Sequence, residues 1–343
     1  MHSRTTSIIN WSKNPSLNSL MLEPFAEKRQ KLDNNEAAHR TWWGQVGTRA
    51  RHRTVSGQFE GKRAVVSHIV NALVRACLVA ILVAIPALLV PHVASDTAQI
   101  VVVVALLSAM LTFMEYYGRY PSIIEFRFAE PYNRLRFIAV AASVISLSLI
   151  ARSQTDPGAI GLTLTAIGDR LGSMLDFPFS PVRLMVLMLP ADADAALMSN
   201  VRIAAGLSYT ISLGMVAVFM VLVWRLGWPM RRGSFNVWIN LPLFDPTRGG
   251  DVVERLRRDA GVNIVLGILL PFIIPTAVKA ASSMIDPTAL TNPQTLIWML
   301  SAWAFLPASM TVRGIALLRV AELIEAKRRR VHAQEEAGGL QGV

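Results

Sequence analysis

The sequence predicts an all-α polytopic membrane protein with six transmembrane helices, both termini in the cytoplasm, and a small two-stranded cytoplasmic element. Three observations predict it. Of the 343 residues, 52% are hydrophobic and only 17% charged, and the mean hydropathy is +0.41. The apolar residues are not spread over two or three soluble domains, as a chain of this length would otherwise suggest. They come in six blocks, each near the ~20 residues that carry a helix across a bilayer. Finally, Lys and Arg alternate in density between the blocks. Segments 1–63, 115–137, 225–261 and 313–343 hold eleven, four, seven and six of them, whereas 91–97 and 286–294 hold none and 151–202 holds four. Basic loops stay on the cytoplasmic side, close to anionic lipid headgroups. That placement accounts for the net charge of +11 without nucleic acid, and points to a multi-pass protein of the plasma or inner membrane.

The basic tail 1–63 has no apolar core within the first thirty or so residues, where a cleavable signal would carry one. It is expected to remain as a cytoplasmic segment. The membrane domain, 64–312, opens with a span over Val65–Val90 that contains Arg75. A charge at mid-bilayer costs about 2.5–3.5 kcal/mol on insertion scales, so Arg75 either snorkels to the headgroups or is a buried functional charge. The short connection 91–97 makes the second span, Ala98–Met114, its antiparallel partner. Glu115 closes that span, facing water at the interface or pairing with Arg75. The third span is Leu135–Ala151, whose serines suit helix packing.

In the long connection that follows, Ile160, Leu164, Ile167, Leu171 and Met174 recur at helical spacing. They predict an amphipathic helix on the outer membrane surface or capping the bundle. Val182–Leu189 is apolar apart from Arg183 but too short to span, so it dips into the bilayer edge or forms a re-entrant loop. The fourth span is Ile203–Trp224. The fifth, Val262–Ser282, contains Pro271 and Pro275, which remove two backbone donors and should kink it; Lys279 lies near its outer end. The sixth, Thr295–Val312, continues into a basic amphipathic segment, 313–343, with Leu317, Val320 and Ile324 on one face.

The densest chemistry lies in loop 115–137, which holds four of the five tyrosines. Aromatic residues and arginines are what interface cores favour. Tyr116, Tyr117, Arg119, Tyr120, Glu125, Arg127, Glu130, Tyr132 and Arg134 are therefore candidate partner-binding residues. Arg75, Glu115 and Lys279 are candidate polar groups within or at the edge of the membrane. In the same loop Ile124, Phe126 and Phe128 alternate with Glu125 and Arg127, and residues 235–241 alternate likewise, each a strand signature. Lone strands are unstable, so the two are predicted to pair beneath the bundle.

No set of catalytic residues stands out. There is no Gly-rich phosphate loop, no HExxH and no Gly-x-Ser-x-Gly elbow. One cysteine, Cys77, allows no intramolecular disulfide, and six histidines lack metal-ligand spacing. Glutamates among arginines stay ionised and suit ion pairing better than proton delivery. The chain is expected to be no enzyme and to carry no cofactor or metal. Its partners are expected to be the lipid bilayer with anionic headgroups and a cytoplasmic or membrane protein. Two functions follow. One is an interaction protein (scaffold, assembly factor or regulator) that presents the aromatic, Arg- and Glu-rich loops. The other is a transporter or channel for a small solute, with the proline-kinked fifth helix as a moving part. A mid-membrane cavity would favour transport, and a dry bundle with an ordered loop face would favour interaction.

Overall fold

The computed structural model describes residues 66–91, 94–118, 120–190, 193–229, 240–242, 244–245, 249–281 and 292–340. The tail 1–63 and most of the connections 230–248 and 282–291 lie outside them. The helices are α1 Val66–Leu89, α2 Ser95–Tyr117, α3 Tyr132–Ser153, α4 Ala159–Leu175, α5 Pro181–Leu187, α6 Ala195–Leu226, α7 Val252–Ala280 and α8 Pro293–Leu340. Six of them, α1, α2, α3, α6, α7 and α8, are long and apolar enough to cross a membrane. From Asn71 onward the chain forms one compact unit; of the other unit only Val66–Val70, the first turn of α1, is described.

Several helices outrun the apolar blocks that predicted them. At ~1.5 Å per residue the 32 residues of α6 reach about 48 Å, well beyond a hydrocarbon core of about 30 Å. In α6 the surplus lies mostly at the far end, over 195–202; in α7 and α8 it lies where loop 118–131 sits, here called the loop end. There Phe126, Tyr132, Phe219, Trp228, Leu256, Leu317 and Val320 form one apolar cluster. At the far end Val144, Val182, Met185, Val201, Leu300 and Trp303 belong to a second. The first stretch beyond the sixth predicted span is therefore core: Ala316, Leu317, Val320 and Ala321 are all buried.

The proline pair in α7 is accommodated within one continuous helix. Pro275 has no N–H to offer the carbonyl four residues earlier. The indole N–H of Trp303 donates to that carbonyl, Pro271 O, at 3.1 Å, so α8 supplies the bond that α7 lacks.

Between the third and fourth spans, the predicted helix is present as α4, and it packs on the protein by a face other than its apolar stripe. Ile160, Ile167 and Met174 are exposed, and Leu164 and Leu171 are half-buried. The buried face carries Gly161, Gly168 and Gly172. Small residues let helix backbones approach closely: a Cβ on Gly206 would lie 2.4 Å from the Gly172 Cα. Segment 182–189 is likewise inside the protein, with Val182, Met185, Met188 and Leu189 buried in the far-end cluster. Lys279 Nζ donates to Leu189 O at 2.8 Å, which ties α7 to the turn after α5.

The two-stranded element is not found. No strand occurs among the described residues, and 122–130 is a run of bends and turns. Most of 235–241 lies outside the described residues, and Asn240 is helical. The two segments nevertheless meet. Phe126 N–H donates to Asn240 O at 2.7 Å, and Phe128 N–H to Asn240 Oδ1 at 3.3 Å.

Candidate functional site

Loop 118–131 is built around two carboxylates. Glu115, at the end of α2, is neither water-facing nor paired with Arg75, because it is buried and fully engaged by the turn that follows. Its Oε1 accepts the N–H groups of Ser122, Ile123 and Ile124 at 2.8, 3.0 and 3.0 Å, and the Ser122 hydroxyl donates to Oε2. Arg127 closes the same turn by donating to the carbonyls of Glu115 and Gly118, which a helix C-terminus leaves without partners. Burial pushes the Arg127 pKa down, while the neighbouring Glu115 charge opposes the shift. Glu125 accepts a two-pronged bond from Arg313 of α8, at 2.6 and 2.8 Å.

Strand-like alternation fails at Phe126 because its φ is +54°, in the left-handed region that a bulky residue occupies only when its surroundings over-determine it. Those surroundings are on hand. The Phe126 ring lies 4.6 Å from Tyr132 and 5.5 Å from Trp228, and Phe219 stands 5.0 Å from Trp228. The Trp228 indole N–H donates to Ala129 O. Trp228 reaches this cluster because α6 ends on Gly227 at φ +65°, a left-handed glycine cap that reverses the chain. The turn thus sends Phe126 inward and leaves Phe128 exposed.

The candidate partner-binding residues divide accordingly. Glu125, Arg127 and Tyr132 are buried. Tyr116 is half-buried beneath the Arg75 guanidinium, 4.4 Å from the ring centroid. Tyr117 and Tyr120 are exposed, and Glu130 and Arg134 form an exposed pair at 2.6 Å. Arg119 lies outside the described residues.

Beside this knot opens a cavity of about 1090 Å³, walled by α1, α3, α7 and α8 with the end of α2 and Ile123–Glu125. Arg75, Arg134, Arg136 and Arg313 line it near the loop end, with Asn71 and Asn133; Val79, Val140, Leu270 and Ile274 line it deeper, and Ile138 and Leu306 line its exposed edge. Arg136 donates to Ser309 Oγ at 2.8 Å and lies over the Tyr132 ring at 5.4 Å. A smaller cavity of about 210 Å³ opens at the far end, where Val90, Leu147, Ala151, Asn200 and Ile297 contribute. Both cavities are lined by α3 and α8 and by the two ends of the α1 segment.

Between them lies an apolar plug. Leu82, Val144, Leu300, Trp303 and Ala304 belong to the far-end cluster, with Ile85 packed against it. From Val140 to Leu147 on α3 the plug is about 10 Å thick at ~1.5 Å per residue. Inside the bundle the hydroxyls of Ser143, Ser208, Ser212 and Ser301 are buried without a hydrogen-bond partner, a state that costs about 1–3 kcal/mol per group.

Comparison with protein-family models, curated proteins and solved structures yields no match. The residues that sequence reasoning missed are Arg136, Ser309 and Arg313. Arg136 and Arg313 were visible only as loop charge, at the two edges of apolar blocks. Asn71 and Arg75 did carry a signal, since a spacing of four puts both on one face of α1.

Proposed function

We propose that the protein is a transporter for a small amphipathic solute, working along the seam between α1, α3 and α8 with the loop end toward the cytoplasm. One observation carries this reading: a large polar-headed cavity and a small far-end cavity share the same helices and are separated by a thin apolar plug. A transporter held open to one side has this arrangement, and alternating access needs only the plug to shift. The plug residue Trp303 is bonded to Pro271 O, so a movement of α7 about its prolines would be felt at the centre of the plug.

The test uses the single native cysteine to advantage. In a Cys77→Ser background, Ala304→Cys is exposed to membrane-impermeant thiol reagents applied from either side of sealed vesicles. Transport predicts slow labelling from both sides, quenched when the opposite side is pre-blocked. A plug that no reagent ever reaches would exclude it.

The loop surface supports a second reading, the interaction protein. Tyr117, Tyr120, Ile123 and Phe128 are large, apolar and exposed, and a protein partner would cover them. Tyr120→Ala with Phe128→Ala should release such a partner from a gently cross-linked, detergent-purified sample without lowering the melting temperature. Recovery of the same partner with wild type and variant would sink this reading.

A further inference from the structure

We infer that the cavity's ligand is an anionic phospholipid-type amphiphile, with its phosphate between Arg75 and Arg136 and its acyl chain along the apolar wall; this rests on the reading of that cavity as the working site. Charge balance identifies the headgroup. Of the four arginines lining the cavity, Arg313 is matched by Glu125 and Arg134 by Glu130. Arg75 and Arg136 make no ion pair among the described residues. Both are half-buried and held by aromatic rings and one serine hydroxyl. Two uncompensated guanidinium groups at one end of a cavity suit a phosphate, whose oxygens can accept from both forks at once.

The apolar end identifies the rest of the molecule. Val79, Val140, Leu270 and Leu306 offer a water-soluble anion nothing to bond to, and offer an acyl chain a continuous wall. The mouth is apolar too. Ile138 and Leu306 line the cavity yet are 61% and 56% exposed, so the opening beside α1 faces sideways, toward lipid. From Asn71 to Val79 the lined stretch of α1 runs about 12 Å at ~1.5 Å per residue. That is close to one leaflet, half of a hydrocarbon core of about 30 Å. The volume of about 1090 Å³ lies just above the roughly 300–1,000 Å³ usual for ligand pockets, room enough for a chain-bearing ligand.

The experiment titrates the delipidated full-length protein, in a mild uncharged detergent, with lysophosphatidylglycerol and counts adducts by native mass spectrometry. The expected result is one saturable adduct, at least about tenfold weaker with lysophosphatidylcholine, and none with glycerol phosphate, which has the headgroup without the chain. Arg75→Gln with Arg136→Gln should weaken binding about tenfold or more, as loss of charge-assisted bonds does; Arg152→Gln, at the far end, should leave it unchanged. Leu306→Trp, at the exposed mouth, should block the chain while keeping the wild-type melting temperature, which guards against a double variant that fails to fold. Equal affinity for the two lysolipids, full-strength binding of glycerol phosphate, or wild-type binding by a folded double variant would each overturn the inference. If lysophosphatidylglycerol binds as expected while Ala304→Cys stays unlabelled, the site stands and transport falls. If Ala304→Cys is labelled from both sides and no lysolipid binds, transport stands for another solute and this inference falls.

Discussion

Two regions a few residues apart treat their charges in opposite ways. In the knot made by loop 118–131, every buried charge among the described residues is answered: Glu115 by three backbone N–H groups, Arg127 by two carbonyls, Glu125 by Arg313. In the cavity wall beside it, Arg75 and Arg136 meet rings and a hydroxyl but, among the described residues, no carboxylate. The first arrangement is that of a structural joint, because burying a charge without a partner is expensive. The second leaves binding capacity unspent. The buried aromatic and charged residues of the loop thus join α2, α3, α6 and α8, and it is the simpler arginines next door that the proposed ligand would engage.

The sharpest way to break this contrast is to attack the joint. Phe219→Ala removes a fully buried ring from the four-ring cluster and should cost about 3–5 kcal/mol, read as a fall in melting temperature of the detergent-purified protein. Glu125→Ala leaves Arg313 without its partner. It should cost somewhat less, near the low end of the about 3–5 kcal/mol typical of a broken buried pair, because Arg313 is 30% exposed. Gly206→Val forces α4 off α6 and should cost about 1–3 kcal/mol by overpacking, with thermal unfolding again the readout.

On the other side of the comparison, Arg75→Gln removes one cation–π contact, worth about 0.5–1 kcal/mol, and should hardly move the melting temperature. A loss as large as that of Glu125→Ala would mean that Arg75 is part of the joint. The smallest effect belongs to Asp251, the N-cap of α7. Its pKa lies below the ordinary 3.8 because Arg328 and the Val253 N–H bond its carboxylate. A depressed carboxylate pKa gives stability that is present above the unfolded value and lost as pH falls through the folded one. Asp251→Asn should thus lower the melting temperature slightly at neutral pH and not at all once the pH is well below 3.8.

The six helices long and apolar enough to cross a membrane were legible because a bilayer demands long apolar blocks, and each block in the sequence became one of them. The glycine face of α4 was not, because Gly161, Gly168 and Gly172 matter through what faces them across space, Ile203, Arg202 and Gly206, and hydrophobic periodicity pointed to Ile160 and Met174 instead. The strand signature at 124–128 misled for a related reason. Alternation assumes extended backbone, and the left-handed φ of Phe126 goes with its packing on the Tyr132 and Trp228 rings, the second of which lies about a hundred residues away. Loop 115–137 was rightly picked out as unusual, yet its density of charge reports a buried joint as readily as an exposed surface. The pairing of Glu125 with Arg313 separates those two meanings, and it joins positions 188 residues apart.

The measurement closest to the central claim is a cryo-EM structure of the protein in nanodiscs made from a mixture of phosphatidylglycerol and phosphatidylcholine. The account predicts α1 standing off α3 and α8 as here, with elongated density running from between Arg75 and Arg136 down past Val79 and Leu306. Closure of α1 onto α3 and α8, leaving no cavity and both arginines turned to the surface, would contradict it.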